Sequence, residues 1–432
     1  MKVLVITYDF FPDNTPNTYR WHNILKKWDE RGIEIFVISN KKNDFKESEI
    51  HDNLKIYRTS EFLLGKYKNR FSNKLEQKST NTNKFSIKFR KAIKFIYKIS
   101  WSNIYWPDFA ILWTFSTYKI AKKIIKDEQI DKLITVSWPF STHLIGYNLK
   151  KKFNYIDWLA ETIDPFNFFN GANNKFIYNH LNLFAERKLF DYANHLTVTT
   201  DNIKNKYITL YPEIEGKIHV IKNLFVPPII TNSNIINRNG NKLKLSFFGS
   251  LLIDVRTPDL VIKFFKKIIT NNNYKNIELH FFGEVNELIQ NFEPVKKFIG
   301  KNIFLHGLIP REQVKSEIEH SDILINIGNK NEFQEPSKLI EYMFYEKPII
   351  NFTEIINDTS NHLLKNYPKL FQVTPETINQ ETLIKDFDKF CLNKEIQINK
   401  DELNSILEAH LINNIEQSYF NILFNQNKPI YV

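Results

Sequence analysis

A single cysteine, Cys391, stands among 432 residues. One thiol excludes an intrachain disulfide and any zinc site built from several cysteines, and it makes a reducing cytoplasm the expected compartment. Long apolar runs are missing as well: none approaches the roughly 20 residues that a membrane-spanning helix needs. The start, MKVLVITYDFFP, holds one lysine and a short apolar run broken by Asp9, which reads as a first buried strand and not as a signal peptide. No HExxH pair, paired-cysteine spacing, GxSxG elbow or Walker loop occurs. Neither a metal nor a cofactor is therefore expected. What the chain does have is core material: 37 Phe, 19 Tyr and 7 Trp, with 42% hydrophobic and 25% charged residues. That composition excludes a disordered protein. The length exceeds what one hydrophobic core usually serves and points to two domains of about 200 residues each.

Charge is unevenly spread. Residues 1–222 carry 36 Lys and Arg against 23 Asp and Glu, so the net +11 of the chain belongs to the first half. Residues 51–100 alone hold 13 basic and 3 acidic side chains. Within them KFSIKFRKAIKFIYKISW (84–101) has six cations and no acid, with Phe85, Phe89, Ala92, Ile93, Ile96 and Ile99 at three-to-four spacing. This is the pattern of a basic amphipathic helix lying on an anionic membrane surface, or of a helix covering a sheet with a lysine-rich outer face. No nucleic-acid recognition motif accompanies it, so nucleic acid is not an expected partner.

Hydrophobic periodicity gives two alternating strand–helix series. In the first, KVLVIT (2–7), IEIFVIS (33–39), KLITVS (132–137), DWLAET (157–162), HLTVTT (195–200) and KIHVI (217–221) are strands between helices around 19–30, 116–126, 142–152 and 179–192. Residues 226–241, rich in Pro and Asn, read as a linker. The pattern restarts with KLSFFG (244–249), IELHFFG (277–283), IFLHG (303–307), DILINIG (322–328) and KPIINF (347–352), with helices around 259–270, 285–291, 311–321 and 337–345. The expected fold class is α/β, with two facing Rossmann-like domains, parallel sheets and an interdomain cleft. Domain boundaries are expected at 1–225 and 242–411, with a C-terminal helix over about 412–432 packing back on the first domain. In such sheets ligands bind beyond the carboxyl ends of the strands.

Two turns at that edge are suited to an anion. In NIGNKNEFQEPSKLIEYMFYEKPII (326–350), Pro336 opens a helix, and Ser337 and Lys338 fall among its first unpaired amides. Glu341 lies one turn on, where a carboxylate can accept both hydroxyls of a ribose, or where it is a surface charge behind a Ser337 cap. In FFGSLLIDVRTPDL (247–260), Gly249 admits close approach of the backbone to a ligand, and Arg256 can bind a diphosphate bidentately or stand as a surface arginine. In the first series Asn14, Thr15, Asn17 and Arg20 follow the first strand and are expected to bind an acceptor. His143, after LITVS, is either a catalytic hydrogen-bonding group or a structural donor. Asp164, after DWLAET, either orients a reacting sugar or caps the next segment.

Together these segments resemble a GT-B fold glycosyltransferase, close to glycosyltransferase family 4. The likeness runs from VITYDFFPDNTPNTYRWHNILKKW through SWPFSTHLIGYNLKKK, WLAETIDPF, KIHVIKN, FFGSL, HGLIPREQV and SDILINIGN to EPSKLIEYM. It implies transfer of a sugar, with retention of configuration, from a nucleotide-diphosphate sugar to an acceptor hydroxyl. It implies that Arg256 and Lys338, helped by Ser337, neutralise the diphosphate, that Glu341 holds the ribose, and that the turn Gly307–Leu308 faces the base. Gly249, Ser250 and Pro336 complete the implied donor set, and the implied catalytic set is Asp164, His143, Arg256 and Lys338. Ser250 stands where relatives usually carry a basic residue, Ile163 where they carry Arg or His, and Phe333 where they carry a carboxylate. The expected acceptor is a glycan or lipid-linked precursor at the inner membrane face, in lipopolysaccharide, capsule or exopolysaccharide synthesis. The rival expectations are a nucleotide-sugar epimerase and a non-catalytic nucleotide-binding scaffold.

Overall fold

A computed structural model describes residues 1–13, 15–42, 45–61, 105–168, 175–227, 242–253, 255–271, 274–392 and 398–424. The expected basic helix at 84–101, most of the expected linker and Asn14 lie outside them. The chain divides into two units, Met1–Lys222 with Ile415–Val432, and Asn223–Asn414.

The first unit holds β1 (Lys2–Thr7), β2 (Glu34–Asn40), β3 (Ser48–His51), β4 (Leu54–Thr59), β5 (Lys132–Val136), β6 (Asp157–Thr162), β7 (His195–Val198) and β8 (Ile218–Val220). They form one sheet in the order β3-β4-β2-β1-β5-β6-β7-β8. Every pairing is parallel except the β3–β4 hairpin at the edge. Central strands read as unbroken apolar runs because helices cover both faces: Val3, Leu4, Val5 and Ile6 are all fully buried. The helix Pro16–Glu30 begins where Thr15 caps it, its Oγ1 accepting from the Thr18 amide. It packs through Trp21, Ile24, Leu25 and Trp28, spaced three and four apart. The strands β3 and β4 escape the periodicity reading, since SEIH and LKIYRT alternate at a sheet edge and carry charge.

The second unit holds β9 (Leu243–Phe248), β10 (Ile277–Phe282), β11 (Ile303–Gly307), β12 (Ile323–Ile327), β13 (Ile349–Phe352) and β14 (Leu370–Val373). The order β11-β10-β9-β12-β13-β14 is parallel throughout. It reverses between β9 and β12, the switch point of a doubly wound sheet, where ligands settle. Successive residues feed opposite faces. Leu245, Phe247, Ile323, Ile325 and Ile350 join one core with the helix Asp259–Ile268, while Phe248, Leu324 and Ile349 join another with Leu339 and Tyr342.

Three expectations about elements and bounds are corrected. The segment expected as a helix at 285–291 is a 3-10 run, Asn286–Phe298, interrupted at Leu288 and containing Pro294, which cannot donate to a helical ladder. The helix expected from Ser337 runs Lys338–Phe344, with Ser337 at its cap and Pro336 outside it. Phe225, expected in the first domain, belongs to the second unit: its amide donates to His410 O at 2.7 Å and its ring packs on Phe344. The chain returns to the first unit within the C-terminal helix Ile412–Phe424, whose residues belong to that unit from Ile415 onward. Among the described residues no helix is long and apolar enough to cross a membrane.

Candidate functional site

At the carboxyl ends of β9 and β10 the second unit has a cavity of about 270 Å³. Its floor is bare backbone. Gly249 ends β9, and its amide donates to Phe282 O at 2.9 Å; Gly283 ends β10 and donates to Gly307 O at 2.8 Å. A Cβ on Gly283 would lie 2.1 Å from the Gly249 carbonyl oxygen, so only glycine lets the two strand ends meet. Below the floor the buried Tyr342 hydroxyl accepts from the Phe248 amide at 3.2 Å. Burial raises the pKa of that phenol, with the hydrogen bond from Phe248 opposing, and keeps it neutral. One wall is apolar: Phe282, stacked between Phe248 and His306, and Leu308, which is 70% exposed.

The other wall is cationic. Arg256 is carried by a loop that folds on itself, with backbone bonds between Leu252 and Arg256 in both directions. Its Nε and Nη2 donate to Asn329 Oδ1 at 3.2 and 2.8 Å, and Nη1 lies over Gly249. Asn329 is neutral, so these bonds aim the guanidinium without cancelling its charge. Burial lowers the Arg256 pKa, with Tyr342 and Asp358 opposing, yet a guanidinium stays protonated in proteins. Asp358 is the counter-charge. It caps the helix Thr359–Leu363 through Oδ1, while its buried Oδ2 occupies the space that a Cβ on Gly328 would need. Lys338 lines the cavity and pairs with Glu341 at 2.5 Å across one helical turn. Ser337 lines it too, is exposed, and makes no capping hydrogen bond with its side chain. The helix behind it has only seven residues, so its dipole adds little, and the positive potential comes from Arg256 and Lys338.

The cavity thus brings together Gly249, Ser250, Arg256, Leu308, Pro336, Ser337 and Lys338. Gly307 stands at its edge, at φ +68, as the acceptor for the Gly283 amide. Glu341 reaches it only through its ion pair with Lys338. Four further residues escape the sequence reading. Gly283 has a signal, since IELHFFG repeats the strand-then-glycine pattern of KLSFFG. Tyr342 and Asn329 sit beside residues already singled out. Asp358 has none, because its electrostatic partner Arg256 is distant in the chain.

In the first unit two expected site residues prove to be internal. Arg20 is 5% exposed. Its Nε donates to Glu161 at 3.0 Å, and its other nitrogens to Lys222 O, Ile221 O and the Tyr419 hydroxyl. Four of its five N–H groups are taken up inside the unit, and the buried guanidinium is held away from solvent. His143 has no exposed surface. Its Nδ1 bonds the Thr135 hydroxyl at 2.8 Å, its Nε2 stands 3.4 Å from that of Thr162, and burial lowers its pKa to about 3. The imidazole is thus neutral and enclosed, with no exposed edge to offer a ligand. Thr15 is committed to capping its helix. Asn17, in the first turn, lies 3.5 Å from Ser137 O, beyond the end of β5. Asp164, half-buried, follows β6 at its carboxyl end.

No protein family and no curated protein matches the sequence. Solved structures do match in fold. A glycosyltransferase from Rickettsia africae ESF-5 aligns at 15% identity and TM-score 0.61, covering 98% of this chain and 99% of the other. HepE from Anabaena, solved in complex with UDP, aligns at 12% identity and TM-score 0.61, covering 97% and 98%. The lipopolysaccharide outer core galactosyltransferase WaaB, in its apo form, aligns at 12% identity and TM-score 0.60, covering 99% and 100%. The chain has the GT-B fold of these glycosyltransferases.

Proposed function

We propose that this protein is a glycosyltransferase that moves a sugar from a nucleotide-diphosphate sugar to an acceptor hydroxyl. The carrying observation is the cavity of the second unit, where a glycine floor meets two cations, Arg256 and Lys338, at the switch point of a sheet with this fold. A floor without side chains admits a diphosphate close to the two cations, and the Phe282–Leu308 wall suits the flat face of a base. UDP is the nucleotide of first choice, since HepE binds it in the same fold.

In the reaction the bond from the anomeric carbon to the diphosphate breaks and its electron pair leaves with the diphosphate. The acceptor oxygen bonds to the anomeric carbon, and its proton passes to the departing diphosphate. Arg256 and Lys338 stabilise the charge growing on the leaving group, without a divalent ion. Ser337 adds a hydroxyl donor, and Glu341 holds the ribose once Lys338 turns to the phosphates. Asp164 is the remaining carboxylate for orienting the sugar. Transfer is retaining, as in glycosyltransferase family 4, and the acceptor is a glycan or lipid-linked precursor of a bacterial surface polysaccharide. The basic segment 84–101 holds the enzyme peripherally to the anionic inner face of the membrane.

Incubation of the protein with UDP-hexoses and short glycan or glycolipid acceptors, followed by mass spectrometry, tests this reading. Glycosylated acceptor with release of UDP is expected. An isomerised nucleotide sugar without acceptor would make it an epimerase. Tight UDP binding without turnover across the panel would make it a scaffold.

A further inference from the structure

Outside the cavity just described, the fold gathers a second set of chemically active side chains. His22 lies mid-way along the helix Pro16–Glu30, and His51 and Asp52 form the end of β3 and the turn that follows it. All three belong to the first unit. Their ligand-type atoms lie within 4.8 Å of one another. Asp52 Oδ2 is 3.5 Å from His22 Nε2 and 3.8 Å from His51 Nε2. In a tetrahedral zinc site, bonds of about 2.0–2.1 Å place neighbouring ligand atoms about 3.4 Å apart. The two distances to Asp52 are therefore near ligand spacing and slightly longer than ordinary hydrogen bonds. His22 Nε2 is buried and makes no hydrogen bond. A buried ring nitrogen that stands 3.5 Å from a carboxylate without a hydrogen bond leaves its acceptor or donor capacity unused.

The surroundings fix the donors. The Phe11 ring stacks on His51 at 4.0 Å and on His22 at 5.2 Å, which orients both imidazoles. Asp52 and Asn53 occupy positive φ, at 46° and 60°, so the hairpin turn presents the carboxylate rigidly. One cation competes: Lys26 Nζ, on a side chain 54% exposed, lies 3.7 Å from Asp52 Oδ2 and can swing to water.

We infer that His22, His51 and Asp52 bind one divalent transition-metal ion of the zinc class. Two imidazoles and a carboxylate are borderline-soft donors that favour zinc over magnesium or calcium. Three protein ligands leave one position for water. The ion ties the helix Pro16–Glu30 to the β3–β4 hairpin. It takes no part in the diphosphate chemistry proposed for the second unit, and the inference stands whether or not that proposal does. No motif announces the site, since His22 is far in sequence from His51 and Asp52.

The test is a titration of metal-stripped protein with Zn²⁺ by calorimetry, and with Co²⁺ by visible absorption. We expect one equivalent of zinc and the strong absorption bands of tetrahedral cobalt. His51→Ala and Asp52→Asn, both at a half-exposed turn, are expected to weaken zinc at least tenfold while circular dichroism stays that of the parent. Lys26→Met removes the competing cation and no ligand, and is expected to tighten zinc two- to fivefold. Absence of stoichiometric zinc binding overturns the inference, as does an affinity within twofold of the parent in either ligand variant. Should a ligand variant fail to fold, Lys26→Met decides, and an unchanged or weakened affinity there overturns it.

Discussion

Arg256 and Lys338 reach the cavity in different electrostatic states. Arg256 is aimed by the neutral Asn329, whereas Lys338 is already paired with Glu341. Arg256→Ala is expected to weaken UDP binding by about 1.5–3 kcal/mol, the range for a hydrogen bond to a charged group. Lys338→Ala should cost a similar amount, part of it because a half-buried carboxylate is left beside the phosphates. The same change in a Glu341→Gln background should therefore cost less. Calorimetry over this double-mutant cycle checks the coupling, and additivity within about 0.3 kcal/mol would remove Glu341 from the site. A separate residue-scale effect belongs to Glu186, which is fully buried and accepts from the hydroxyls of Tyr207 and Tyr211. Burial raises its pKa to about 7, against those two hydrogen bonds. A raised folded-state pKa means that the stability tied to the protonated acid is complete below the ordinary glutamate value and is lost as pH climbs to about 7. The loss is on the order of 3 kcal/mol, at about 1.4 kcal/mol per pKa unit. Urea melts from pH 4 to 8 should show that decline in the parent and not in Glu186→Gln. Parallel pH profiles would mean the carboxyl is already ionised in the fold.

Among elements, the helix Pro16–Glu30, the end of β6 and the C-terminal helix Ile412–Phe424 are joined by one buried carboxylate. Glu161 accepts from Arg20, from Trp21 Nε1 at 2.5 Å and from the Tyr419 hydroxyl. Removing one partner of a buried charge network leaves the other unpaired, so Glu161→Ala is expected to cost about 3–5 kcal/mol of unfolding free energy. Tyr419→Phe removes a hydroxyl that accepts from Arg20 and donates to Glu161, and should cost about 1.5–3 kcal/mol. Urea denaturation of the full chain, followed by tryptophan fluorescence, reads both. A Glu161→Ala protein as stable as the parent would show that the network is dispensable. UDP affinity in the second unit should be the same in all three proteins, because no residue of the network lines its cavity.

For the whole molecule the proposals separate cleanly by unit. The diphosphate is answered by fixed cations in the second, and the zinc-class ion is assigned to the first. UDP binding is therefore expected to have the same affinity in EDTA and in millimolar Mg²⁺, while thermal stability of the first unit rises with zinc. Calorimetry with UDP under both conditions checks the first half. Binding that needs Mg²⁺ would mean that Arg256 and Lys338 do not suffice for the charge.

Much of this architecture was local, and so was legible in the sequence. The apolar runs of β1, β5, β6, β9 and β12 and the helices between them follow from residue periodicity, and parallel crossovers leave few ways to assemble them. Gly249, Arg256, Ser337 and Lys338 share one cavity because each sits just beyond a strand end, and a parallel sheet gathers such loops at one edge. Burial and partnership, by contrast, were decided by tertiary structure alone. Arg20 and His143 carry the same chemistry in a list of residues as a site arginine and histidine would, but Glu161, 141 residues from Arg20, and Thr135 beneath His143 turned both inward. Asp358 became the counter-charge of Arg256, and His22 met His51 and Asp52, through contacts that no local pattern encodes. A side chain's type sets what it can do; desolvation and distance, which only the folded chain determines, set which of those things it does.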